Sequence, residues 1–484
     1  MQLTYGIKDR LKFGKNLVFA FQQMIAIMAA TLLVPILVTD AGLVCDPAAA
    51  LFGAGAGTIV YLLFTRFKSP VFLGSSFTFL GALTAVATNN YGYWGLIIGV
   101  GFAGLVYVVI AIIIKLVGSG WIKKLLPHVI IGPVLAIIGL SLSGTASSWM
   151  MQNGKVDNYS LWYIVVGLFT FIIIVLASVK GKGMAKLIPF IIGIGSGLVL
   201  AIVITLFGYI NDSPFCMEMR IVNFTPIIEC FSPIRFQSFL DYPKFTFLEA
   251  ITTSGQYTLD WTAVGNLAVL FVPIAVVELA QHISDHENLS SIVEKDLLED
   301  PGLHNTLLGD GVGSMVGAFF GGCANTTYGE SISCVALSKN GSTITILTTA
   351  IMCMVVSCIS PFVAIINMLP KCVMGGACIA MYGFISVSGL QMLKDVDLSD
   401  NRNLYPCAAI LVLGIGGVVL NFGTNSLTGL PLIQVTSLAV AMIVGIIVNF
   451  ITHSGKDKVD NGAIQENIPN YPLEGEKTDN TETV

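Results

Sequence analysis

One apolar stretch, Val276 to Ser290 (VVELAQHISDHENLS), carries Glu278, Gln281, His282, Asp285, His286 and Glu287. At helical spacing Glu278, Gln281, His282 and Asp285 fall at i, i+3, i+4 and i+7, which is one face. Val277, Ala280 and Ile283 take the opposing positions, so the polar stripe can turn inward while the rest of the helix meets lipid or protein. Such a stripe can bind a proton or a small cation and hydrogen-bond a polar ligand. Ionisable groups at membrane depth normally face a bundle interior or a water-filled cavity. For Glu278 a water-filled vestibule is the plainer alternative; for Asp285 it is a salt bridge or hydrogen bond to His282 or His286. His286 and Glu287 lie near the end of the run and are expected to snorkel.

A second polar island, CANTTYGESISC (Cys323 to Cys334), holds Asn325, Thr326, Thr327, Tyr328 and Glu330. Thr-Thr-Tyr favours extended backbone, and Gly329 permits a close approach or an unusual dihedral. Non-helical backbone at this depth is tolerated only where it is buried in protein or lines a cavity. The first half has a counterpart: Gln22 and Gln23 interrupt an apolar run, and VFLGSSFTFLGAL (Val71 to Leu83) is a second Gly/Ser-rich break. Gln23 and Phe77 are 54 residues apart and Gln281 and Glu330 are 49, so the same pair of irregularities recurs in both halves. That is the pattern of inverted repeats with a midplane site between them.

The elements that position these residues are membrane helices. Apolar residues make up 55% of the 484 and charged ones 11%, too few charges to cover a soluble surface. Candidate spans lie near 16–38, 48–67, 77–89, 94–118, 127–146, 160–180, 187–210, 263–290, 308–322, 327–338, 342–369, 374–393, 404–420 and 427–451. With the N-terminus inside, alternation puts 19 of the 24 basic residues on the cytoplasmic side, Arg66, Lys115 and Lys180 at the cytoplasmic ends of their spans and no basic residue deeper in any span, which supports fourteen crossings with both termini cytoplasmic. The expected fold is therefore an all-α polytopic membrane protein of two inverted seven-helix repeats, with short strands in the broken spans 3 and 10. It is expected in the cell membrane. No cleavable signal is evident, and residues 455–484 read as a disordered tail. Cys216 and Cys230 share the long 211–262 loop and are candidates for a disulfide. No Cys/His metal spacing occurs, and no hydrolase motif such as HExxH. Asp310, in GDG, is expected to cap or pack a short helix.

LLVP (32–35), LGSSF (73–77), EKDLLEDPGLH (294–304), ANTTYGE (324–330) and VMGG (373–376) together resemble the nucleobase–ascorbate transporter family, also called nucleobase:cation symporters, and within it the bacterial uracil permeases. The resemblance covers residues 8 to 453. It implies a core domain (1–118 and 263–369) that holds the base and a gate domain (119–262 and 370–454) that rocks against it. Gate domains would also form a homodimer interface. Carried over by motif, Phe77 and Ala30 line the base, the Gly329 backbone and Glu330 carboxylate bond its ring edge, and Tyr328 and Tyr382 neighbour the pocket.

The chain departs from the family pattern at three places. Gln281 stands where uracil permeases usually have the substrate-binding glutamate, Asp285 where they have a second histidine, and Gln22-Gln23 where Gln-His is common. A glutamine amide can pair with the adjacent C=O and N–H of uracil, while Glu330 accepts from a ring N–H and Phe77 stacks on the flat face. Asp285 is expected to carry the coupling ion, a proton or else sodium, with Glu278 and Gln23 as further candidates. Neither a cofactor nor a nucleic-acid partner is expected. Sodium-coupled or xanthine-type transport, or an anion transporter of the same architecture, are the alternatives.

Overall fold

The computed structural model describes residues 3–453 apart from 119, 122–126, 154–158, 212, 258 and 425–430. The expected disordered tail lies outside the described residues. The longer elements, numbered here in chain order, are α1 (Phe13–Asp40), α2 (Pro47–Phe64), β1 (Leu73–Ser75), α3 (Leu80–Thr88), α4 (Gly92–Val117), α5 (His128–Ser141), α6 (Ser143–Gln152), α7 (Leu161–Lys180) and α8 (Pro189–Gly208). The second half contains α9 (Trp261–Val293), α10 (Leu303–Gly321), β2 (Asn325–Thr327), α11 (Gly329–Ser338), α12 (Thr343–Val356), α13 (Lys371–Met392), α14 (Asn401–Ile415), β3 (Leu420–Thr424), β4 (Pro431–Val435) and α15 (Ser437–Thr452). Among the described residues eight helices are long and apolar enough to cross a bilayer.

Two packing groups emerge, and their contacts come in matched pairs. In one, α2 packs on α10; α2 with α12 is matched by α10 with α4, and α1 with α12 by α9 with α4. In the other, α5 packs on α13; α7 with α13 is matched by α14 with α5, and α7 with α8 by α14 with α15. Exchanging the two halves of the chain thus reproduces the packing, as a two-fold-related repeat requires. At the centre β1 pairs antiparallel with β2, in the register Leu73↔Thr327, Gly74↔Thr326 and Ser75↔Asn325. Each strand then feeds a half-helix, α3 or α11, whose N-terminus begins near the strand pair.

Glycines set the spacing of this centre. A Cβ at Gly53 would sit 2.5 Å from the Gly317 carbonyl oxygen, and one at Gly57 2.5 Å from that of Gly313, so α2 and α10 meet backbone to backbone. At Gly74 a Cβ would lie 2.3 Å from the Tyr328 ring. Gly57→Val is expected to destabilise the protein by roughly 1–3 kcal/mol, read as a lowered thermal midpoint in detergent. An unchanged midpoint would mean that the α2–α10 contact is not tight.

Several sequence expectations are corrected. The run 342–369 breaks after α12, because Ser357 and Cys358 bend the chain into a separate helix, Ser360–Asn367, that packs against the long 211–262 loop. The runs 404–420 and 427–451 are shorter as helices, because Leu420–Thr424 and Pro431–Val435 pair as strands. The short apolar run 308–322 is part of a 19-residue helix, α10. Cys216 and Cys230 are free thiols. Cys216 sits on a short helix that packs on α8, whereas the helix bearing Cys230 packs on Ser360–Asn367, so different partners hold them.

At one end of the bundle Lys68 and Lys295 both bond Asp300, at 2.5 and 2.8 Å. The two ammonium groups hold the Asp300 carboxyl below the usual carboxylate range. The contribution of this tie is complete above that range and is lost as pH falls through the depressed value.

Candidate functional site

The stripe on α9 divides into a buried inner part and a half-buried rim. Glu278 and His282 are buried; Gln281 and Asp285 are half-buried. Asp285 Oδ2 accepts a 2.7 Å hydrogen bond from Thr327 Oγ1, so the stripe is fastened to β2 rather than to His282 or His286. His282 is occupied elsewhere: Nδ1 lies 2.6 Å from Asp310 Oδ2, and Nε2 3.1 Å from Thr306 Oγ1. Asp310 therefore caps nothing. It stands inside α10, where its carboxylate fixes the His282 ring.

His286 does not snorkel. It is 1% exposed, with Nδ1 donating to the His282 carbonyl at 2.8 Å and Nε2 2.7 Å from the Tyr61 hydroxyl. Its distance along the chain from the apolar run suggested exposure; Tyr61, reaching over from α2, supplies the polar partner that keeps it inside. Glu278 is 1% exposed, so the vestibule alternative fails.

The second island supplies the facing wall. Glu330 lies half-buried in the first turn of α11, which packs on α9, and its carboxylate is near enough to Asp285 for the two charges to interact. Tyr328 is pinned, its hydroxyl donating to the Ser75 carbonyl at 2.8 Å across the strand pair. Phe77 meets Tyr382 edge to face, with centroids 5.8 Å apart, and so joins the segment after β1 to α13 of the other packing group. Ala30 is buried on α1. Gln23 serves as a strut: its Nε2 donates to the Ser331 hydroxyl at 2.5 Å and carbonyl at 3.2 Å. Ser331 Oγ in turn accepts from the Phe72 amide at 3.0 Å. Sequence reading passed over Ser331, Tyr61 and Thr306, and named Thr327 without giving it a role. Their only sequence signal was polarity beside the quoted motifs.

Gly329 has neither expected reason to be glycine. Its φ is not positive, and a Cβ there would meet nothing within 4 Å. No contact within the chain demands the missing side chain, and a bare backbone would allow close approach by a ligand. Gly329→Ala should keep the thermal midpoint of the parent while weakening ligand binding about tenfold, measured by calorimetry. Unchanged affinity would remove Gly329 from the site.

A family model described as a permease family matches residues 14–423. The chain belongs to this permease family. It is a membrane transporter and not an enzyme, and the identification with nucleobase transporters of the bacterial uracil permease kind stands. The permease is 36% identical over 463 residues to the uracil permease of Bacillus caldolyticus, covering 95% of this chain and 97% of the relative. It is 34% identical over 472 residues to the uracil permease of Bacillus subtilis, covering 96% and 99%. Among solved structures, the transmembrane domain of the cyanobacterial bicarbonate transporter BicA superposes with a TM-score of 0.54 at 16% identity, covering 93% of this chain and all of that one. At that identity the likeness speaks for the fold alone.

Proposed function

We propose that this permease imports a nucleobase, uracil first, by proton symport. The observation that carries the reading is the junction at Asp285. Its carboxylate is bonded to Thr327 of β2, three residues before Glu330, so a charge change at Asp285 acts on the segment that begins the base-binding wall. The names of the curated relatives support uracil as the base. Uracil presents C=O, N–H and C=O along one edge. Gln281 pairs with adjacent acceptor and donor, Glu330 and the Gly329 backbone bond the ring edge, and Phe77 covers the face. Ala30 lines the base, and Tyr328 and Tyr382 neighbour it.

In this reading the packing group built on α2 and α10 is a core domain, and the group built on α5 and α13 is a gate. Fourteen crossings, both termini cytoplasmic, a cell-membrane location and a homodimer through gate helices complete it. Lys371 Nζ bonds Asp40 at 2.5 Å and ties α13 to the end of α1, beside a cleft of about 820 Å³ lined by Asp46, Arg235 and Lys244. Opening the outer side in alternating access requires that tie to break.

Sodium coupling and a purine substrate remain the alternatives within the family. An anion substrate is disfavoured because Glu330 and Asp285 place two carboxylates at the site. The test is uptake by purified protein in proteoliposomes, with labelled uracil competed by xanthine and with pH and sodium gradients imposed separately. Uracil accumulation driven by the proton gradient alone is expected. Uptake of labelled sulfate indifferent to excess uracil would overturn the proposal.

A further inference from the structure

The half-helix that carries Glu330 has ten residues, about half of the roughly 20 that cross a bilayer, so contacts at its two ends set its tilt. Its first turn is held by the strand pair and by Gln23 on Ser331. Its other end is held by a segment that the base-binding reading leaves out, Leu3 to Asp9, which precedes α1. There the chain leaves α11 through Lys339, in the left-handed region at φ +54°, and turns into α12. A helix end leaves carbonyls without intrahelical donors. The Lys339 carbonyl accepts instead from the amides of Thr4 and Tyr5, at 2.9 and 3.2 Å. The ladder continues: the Gly341 amide donates to the Tyr5 carbonyl at 2.9 Å, the Thr343 amide to that of Ile7 at 3.2 Å, and Ser342 Oγ to that of Asp9 at 2.7 Å. Gly341 leaves room for the arm, since a Cβ there would lie 2.9 Å from Leu3. Tyr5 in turn meets Phe19 of α1 edge to face, with centroids 6.0 Å apart.

The other repeat is built the same way. Between α3 and α4, Asn90 is left-handed at φ +58°, and Gly92 follows it as Gly341 follows Lys339. A Cβ at Gly92 would run into the ring of Tyr257, which stands just before α9 as Leu3 to Asp9 stand before α1. An asparagine near the start of each first helix completes the grip. On α1, Asn16 Oδ1 accepts from Thr345 Oγ1 at 2.8 Å and its Nδ2 donates to Thr348 Oγ1 at 2.7 Å, both on α12. On α9, Asn266 Nδ2 donates to the Tyr91 hydroxyl, beside the start of α4, at 2.7 Å. The far end of each half-helix is thus gripped by the segment that leads into the first helix of the other repeat.

We propose that residues 3–9 are a clamp that positions α11, and through it Glu330 and the Gly329 backbone, for the base. They are positioning residues: they act through the Lys339 carbonyl and the turn into α12, at the end of α11 away from Glu330. Their effect on base affinity rests on the proposed base site, whereas their hold on α11 does not.

The test is amide hydrogen exchange of the purified protein without any base, with uracil affinity measured separately by calorimetry. The variants are a deletion of residues 3–9 and Tyr5→Pro, which removes one of the two amides that donate to the Lys339 carbonyl. Exchange across residues 333–341 is expected to rise about tenfold in the deletion and a few-fold in Tyr5→Pro, while α10 exchanges as in the parent. Uracil affinity should fall about tenfold in the deletion, because a displaced wall no longer meets the ring edge. The KM for uptake should rise with it and the maximal rate stay within about twofold, a split that a general loss of folded protein does not give. Should the deletion fail to fold, Tyr5→Pro and Ser342→Ala, which removes only the bond to Asp9, should still speed exchange in the same segment. Parental exchange across 333–341 in the folded variants, or faster exchange with base affinity unchanged, would overturn the proposal. A parent that binds no uracil would sink the base site instead, and exchange alone would then decide the clamp.

Discussion

Glu330→Ala is expected to weaken uracil binding by about 100-fold or more, roughly 2.7 kcal/mol, when purified protein is titrated by calorimetry. The size follows from the charge on the acceptor. A carboxylate that accepts a ring N–H makes a charge-assisted hydrogen bond, and truncating one partner of such a pair strands the other. The half-helix also matters. Glu330 sits in the first turn of α11, whose free backbone N–H groups steady a negative charge there. Glu330→Gln keeps an acceptor and should lose less than Glu330→Ala. The thermal midpoint distinguishes loss of a contact from loss of the fold, and an alanine variant that binds uracil as the parent does would take Glu330 out of the site.

Asp285→Asn is expected to separate binding from accumulation. An asparagine has the shape of aspartate, and its amide oxygen can still accept the bond from Thr327 Oγ1 that the carboxylate accepts at 2.7 Å. Base affinity should therefore stay within a few-fold of the parent. The amide has no proton to take up or release, so the outward and inward states no longer differ in charge. A pH gradient of one unit is worth about 1.4 kcal/mol per proton, enough for tenfold accumulation. The variant should accumulate nothing against it, while still exchanging labelled for unlabelled uracil across the vesicle membrane. Gradient-driven uptake equal to that of the parent would remove Asp285 from the coupling step.

Much of the chain was legible as sequence. Hydropathy and the basic loops marked the membrane class. The i, i+3, i+4, i+7 rule put Glu278, Gln281, His282 and Asp285 on one face, and the spacing of the two Gly-rich breaks announced the repeat. These are local signals: a helix or strand imposes its period whatever lies next to it. What they miss is also instructive. The long apolar runs near 342–369 and 427–451 looked like unbroken helices, because hydropathy does not distinguish a helix from a strand or a bend. Cys216 and Cys230 looked like a pair because they share a loop, although neighbouring elements hold them on different partners.

By itself, then, the sequence determined a polytopic permease with a polar stripe and two broken spans, because periodicity and transfer free energy act residue by residue along the chain. Only the tertiary structure decided which polar group meets which. Thr327 reaches Asp285, Asp310 takes His282, Tyr61 takes His286, Gln23 becomes a strut on Ser331, and Glu278 is left facing three hydroxyls. Those partners come from segments up to several hundred residues apart. In a medium with almost no water to satisfy them, the packing of the two repeats alone settles where each donor and acceptor goes.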